Sequence, residues 1–152
     1  MKTWERWSFG VLSLIVGVSG IAYLWMKYFV ENSDPTAVVN HPWQPAVFNM
    51  HVLASPALIL MFGIVFNSHI VRKLGNSRPP NRRTGLISLA TFGTMGVSGY
   101  ALQVITSEAW LAAVVVVHVA SGLVFGAVYV THLLISLKIT RARSVLQARE
   151  VA

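Results

Sequence analysis

The chain has 152 residues, of which 55% are hydrophobic and only 11% charged, where an ordinary soluble domain carries roughly a quarter charged. A soluble chain this apolar would expose large greasy patches, so composition points to a membrane protein; the net charge of +7, spread between apolar stretches, reads as topology and not as nucleic-acid binding. Cysteine is absent, which excludes disulfides, thiolate metal sites, iron–sulfur clusters and covalently attached c-type haem.

Four stretches lack Asp, Glu, Lys and Arg: 7–26, 44–71, 84–107 and 110–137. A helix needs about 20 apolar residues to cross a ~30 Å hydrocarbon layer. Lipid cannot hydrogen-bond a bare backbone, so each stretch should be helical. The expected spans are 7–30, 46–71, 84–106 and 110–137, in one all-α transmembrane four-helix bundle covering 1–152. The first apolar run is too long for a signal peptide and no small-residue cleavage site follows it, so it reads as a retained helix. The loop after it holds Pro35 and the cluster His41-Pro42-Trp43-Gln44-Pro45. A basic loop with Pro79-Pro80 joins the second and third spans, and a tight turn joins the third and fourth. No internal sequence repeat is convincing.

Lys2, Arg6, Arg72, Lys73, Arg78, Arg82, Arg83, Lys138, Arg141, Arg143 and Arg149 fall on one side, against Lys27 alone on the other. The positive-inside rule then makes both termini cytoplasmic, and the expected location is a bacterial inner membrane. Trp25, Trp43 and Trp110 would mark the outer interface, and Trp4 and Trp7 the inner one. The same basic residues would also meet lipid headgroups.

Four of the five histidines lie within spans: His51 and His69 on the second, His118 and His132 on the fourth. Ionisable groups inside a membrane are costly and usually functional. At about 100° per residue, the step from His51 to His69 closes whole turns, and that from His118 to His132 falls about 40° short. Each pair should share a helix face. The second and fourth helices run in the same direction, so depth matches His51 with His118 near the outer surface and His69 with His132 near the inner. Two facing imidazoles at two depths suit two non-covalent haem b groups, each with two axial ligands. Gly122 and Gly126 on the fourth helix, and Gly85, Gly93, Gly96 and Gly99 on the third, could let a flat ring approach the backbone; small-residue helix packing explains them equally well. The methionines Met50, Met61 and Met95 read as packing residues.

At these histidines the chain resembles the four-helix dihaem b-type cytochromes. These include the cytochrome subunits of membrane-bound hydrogenases and formate dehydrogenases, and the haem-bearing bundle of quinol-oxidising cytochrome b. The resemblance implies ligands from the second and fourth helices, and the 14-residue steps His118–His132 and Gly85–Gly99 agree with it. The 18-residue step His51–His69 departs from it by one turn, which tilt or a kink at Pro56 would have to absorb. The chain is also similar to small bacterial membrane proteins with a His-Pro-Trp-Gln-Pro segment, a likeness that names no function.

Propionates of bound haem would pair with cations such as Arg72, Lys73, Arg83 or Lys138 inside. Outside, His41 reads as an exposed loop residue, or as a propionate partner or part of a quinone pocket. Tyr100 and Gln103 are further quinone candidates. The expected function is transmembrane electron transfer, as a non-catalytic subunit of an oxidoreductase complex, between a quinone pool and a periplasmic c-type cytochrome or other redox subunit. A histidine-based metal or proton transporter and a cofactor-free membrane anchor are the alternatives.

Overall fold

A computed structural model describes residues 2–32, 34, 36–72 and 82–151, with side chains as far as 142. Among these residues the chain is all-helical and has no strand. The helices are α1 (Thr3–Tyr28), α2 (Gln44–Val65), α3 (Arg82–Val104) and α4 (Glu108–Val151), and α2 continues into a π-helical turn, Phe66–Val71. Four helical segments are long and apolar enough to cross a membrane: Thr3–Tyr28, Gln44–Val71, Arg82–Val104 and Glu108–Ala142. Lys73, Arg78 and Pro79-Pro80 lie outside the described residues, as do the side chains of Arg143 and Arg149.

Three of the four helices, α1, α3 and α4, begin earlier than the charge-free stretches suggest. α1 starts four residues before Trp7 and takes in Glu5, whose Oε2 accepts the backbone N–H of Lys2 at 2.7 Å. That contact satisfies a donor at the helix start. Pro45 sits in the first turn of α2, where its missing N–H costs nothing. α4 runs on past Leu137 through Lys138 and Arg141, both exposed.

The connection into α2 is built from side chains that substitute for helix bonds. Gln44 Oε1 accepts the Asn40 N–H at 3.1 Å, and Asn40 Nδ2 donates to the Lys27 carbonyl at 2.9 Å. Asp34 accepts both the N–H and the O–H of Thr36, at 2.9 and 2.7 Å, and these bonds hold its carboxyl below the ordinary range.

The chain divides into two units, Met1–Gly75 and Asn76–Ala152, each a helical hairpin. In the first, Phe9, Val16, Leu58, Met61 and Val65 are buried, and Phe9 meets Phe62 with ring centroids 6.4 Å apart. In the second, buried Phe92 and Phe125 meet edge-on at 5.3 Å, and Phe125 stacks on Tyr129 at 5.7 Å. Outward side chains are equally apolar: Leu53 is 78% exposed and Val97 74%. Such a surface suits lipid, where helix pairing rests on close packing and polar contacts instead of the hydrophobic effect.

Candidate functional site

In the first unit, α1 offers α2 a small notch. Ser19, 1% exposed, donates its hydroxyl proton to the Ile15 carbonyl at 2.7 Å, with the Val16 carbonyl at 3.1 Å. A hydroxyl has one proton, so Ser19 presents lone pairs to the ring nitrogen Nδ1 of His51, 3.3 Å away. The same Nδ1 lies 2.9 Å from the Val16 carbonyl, which can only accept. Both neighbours require Nδ1 to carry the proton, which leaves the lone pair of a neutral ring on Nε2. Glycine makes the notch deep enough: a β-carbon at Gly20 would stand 2.9 Å from His51 Cε1.

The second unit repeats this arrangement. Ser98 donates to the Thr94 carbonyl at 2.7 Å and meets His118 Nδ1 at 3.2 Å. His118 Nδ1 lies 3.0 Å from the Met95 carbonyl, and a β-carbon at Gly99 would stand 3.1 Å from His118 Cε1.

The equivalence extends along both helices of each hairpin. Gly17-Val18-Ser19-Gly20 recurs as Gly96-Val97-Ser98-Gly99. His51-Val52 recurs as His118-Val119, each followed by a serine (Ser55, Ser121) that donates to the histidine carbonyl. Phe62, Gly63, Val65, Phe66, Ser68 and His69 recur as Phe125, Gly126, Val128, Tyr129, Thr131 and His132. The chain therefore does carry an internal repeat, contrary to the expectation from sequence. The repeat also accounts for the unequal histidine spacings. From His51 to Phe62 is 11 residues and from His118 to Phe125 is 7, so the first copy holds four more residues, about one helical turn.

At the other end the copies differ. His132 Nδ1 lies 2.9 Å from Thr84 Oγ1, and Gly85 faces the same ring, its β-position 3.7 Å from Cε1. The residue in the first copy that corresponds to Thr84 is Glu5, by the same offset that relates Ser19 to Ser98. Glu5 is 4% exposed and accepts the Ser68 hydroxyl at 2.9 Å. Reading spans as charge-free stretches left this acid outside them. His69 lies in the π-helical turn, where bonds close from i to i+5 and the 100° step no longer applies. The whole-turn relation between His51 and His69 holds only as far as Val65, and π-helical turns are frequent at functional sites.

The other expected residues divide. Gly99 makes room for an imidazole, while β-carbons at Gly85 and Gly122 would meet the His132 ring at 3.7 Å and Met95 Sδ at 3.6 Å, both ordinary contacts. Gly126 has no protein atom within 4 Å of its β-position. Arg72 is exposed, and its backbone N–H closes the π-helical turn on the His69 carbonyl. His41 shapes the entry to α2, where its Nδ1 accepts the Trp43 N–H at 3.1 Å and its carbonyl accepts the Gln44 N–H at 3.0 Å. Tyr100 and Met50 are exposed.

Among the described residues, neither unit gathers three His, Asp or Glu side chains into a metal-binding group. No protein-family model, curated protein or solved structure matches the chain.

Histidines that bind metals commonly donate the second ring N–H to a carbonyl, which fixes the tautomer and raises the basicity of the ligating nitrogen. His51 and His118 have this donor set. That donor set is chemically suited to a nitrogen ligand of a metal or of haem iron.

Proposed function

We propose that the chain is a multi-pass haem b protein of a bacterial inner membrane that carries electrons across it. His51 and His118 would hold one haem near the outer face, and His69 and His132 a second near the inner, with both termini cytoplasmic. The observation that carries this reading is the shared state of His51 and His118, each with Nδ1 directed at a main-chain carbonyl and a serine oxygen. Haem iron held by these imidazoles would supply one-electron transfer.

The protein's part is positioning. α1 and α3 orient the rings that α2 and α4 carry. Gly63 and Gly126, one residue after the repeated phenylalanines, have no protein atom within 4 Å of their β-positions, so a flat group can lie against the backbone there. Arg72 and Lys138, both exposed and close to the inner histidines in sequence, are available to anionic propionates. In this reading the chain would act as a non-catalytic subunit of an oxidoreductase complex. Its partners would be a quinone pool and a periplasmic c-type cytochrome or similar redox subunit, drawn to a loop carrying Glu31 and Asp34. Pyridine haemochrome analysis of the purified chain tests the reading. Non-covalent haem b at two per chain supports it, and a chain without haem, expressed with haem supplied, rejects it.

One observation favours a second reading, a proton or metal path. Buried Glu5 lies against Ser68, the neighbour of His69, and such acids mark relays in membranes. Elemental analysis separates the two: iron in haem supports electron transfer, and copper or zinc without iron supports transport.

A further inference from the structure

We infer that the two hairpins are copies of one imidazole-holding unit, and that Ser19 and Ser98 are its positioning residues, holding His51 and His118 as Nδ1–H tautomers. The inference concerns the proposed ligands and rests on that reading only for its effect on a bound haem.

The direction of each hydrogen bond decides the tautomer. A serine inside a helix usually returns its proton to the carbonyl one turn back. Ser19 and Ser98 do so at 2.7 Å. Each hydroxyl is thereby turned so that it offers only lone pairs to the neighbouring ring. The carbonyl of the residue three positions earlier, Val16 or Met95, lies beside the serine oxygen and faces the same Nδ1. Glycine follows each serine and brings the ring edge against the backbone. Carbonyl, serine and glycine thus recur at the same three offsets in both copies. An isolated serine–histidine contact would be unremarkable as interhelical packing. Its recurrence, with the same donor direction and the same flanking glycine, assigns it a common role.

A second acceptor on Nδ1–H makes the ring more electron-donating at Nε2. Removing it should therefore raise the reduction potential of the metal centre the ring ligates. Because His51 and His118 are assigned to one haem, Ser19→Ala and Ser98→Ala should act on the same centre and leave the other in place.

Two measurements test this on the full chain. The first is ¹⁵N NMR of histidine-labelled protein prepared without haem. His51 and His118 should show protonated Nδ1 and unprotonated Nε2, and Ser19→Ala and Ser98→Ala should each introduce a fraction of the Nε2–H form at the matching histidine. The second is a redox titration of haem-loaded protein, where each variant should shift one and the same centre to higher potential and Ser98→Thr should restore it. Nε2–H signals for His51 and His118 in the unsubstituted, haem-free chain overturn the inference whatever the haem content. Unchanged potentials in both alanine variants of the haem-loaded protein overturn it as well. Nδ1–H signals in a chain that takes up no haem support the inference and defeat only the electron-transfer reading.

Discussion

Ser19 and Ser98 play the same part in two places: each returns its proton to a carbonyl one turn back at 2.7 Å and meets an imidazole Nδ1, at 3.3 and 3.2 Å respectively. Around these two contacts the remaining correspondences fall into order. His51 matches His118, Gly20 matches Gly99, and His69 matches His132.

The proposed ligation pairs His51 with His118 and His69 with His132, and their substitution should reflect it. His51→Ala and His118→Ala are each expected to abolish the same haem signal and leave the other. His69→Ala and His132→Ala should remove the second. Haem counts per chain, with redox titration to label the surviving centre, check the assignment. Four unrelated phenotypes would break the pairing.

The tight glycines and the open one should behave differently. Gly20→Ala places a β-carbon 2.9 Å from the His51 ring, so ring or helix must move, at a cost of about 1–3 kcal/mol. Gly99→Ala, at 3.1 Å from the His118 ring, should show a smaller loss. Gly93→Ala meets no atom within 4 Å, and its better helix propensity is worth at most about 1 kcal/mol in its favour. Thermal unfolding in one detergent, with the three variants side by side, gives the order.

Glu5 is held as an acceptor by the Ser68 hydroxyl and the Lys2 N–H. Glu5→Leu removes the acceptor shared by both donors and should destabilise the first hairpin, chiefly through Ser68. Glu5→Gln retains a carbonyl acceptor and should cost less, and Glu31→Gln, in the exposed loop, should cost nothing measurable. Unfolding of the three variants provides the comparison.

Asp34 gives a pH dependence confined to the loop between α1 and α2. Its carboxyl is held low by the O–H and then the N–H of Thr36. A lowered folded-state value means that the turn is fully supported above the ordinary aspartate range and loses that support as pH falls through the lowered value. NMR titration of Asp34 should show the depression, and Thr36→Ala should move the midpoint back up.

Much of the fold was legible because charge-free runs of this length have one stable form in lipid. Trp7 through Met26 could hardly be anything but helix. The edges were less legible, since Glu5 and Arg82 are charged and still lie in helices. The four histidines stood out because ionisable groups are rare in such segments. Their holders did not. Serine and glycine are ordinary in membrane helices, and only contact with His51 and His118 singles out Ser19, Gly20, Ser98 and Gly99. The repeated Gly-Val-Ser-Gly was visible in the sequence all along. Two things disguised it: four extra residues between His51 and Phe62, and loops of very different length. The π-helical turn at His69 has no simple sequence signature, so uniform helical stepping carried too far.

The most direct test of haem ligation by the paired histidines is a reduced-minus-oxidised spectrum of the purified chain, expressed with haem supplied and paired with a haem count. The expected result is b-type bands and two haems per chain, with one centre lost in His51→Ala. A colourless, folded protein, or a spectrum unchanged in both His51→Ala and His118→Ala, would contradict it.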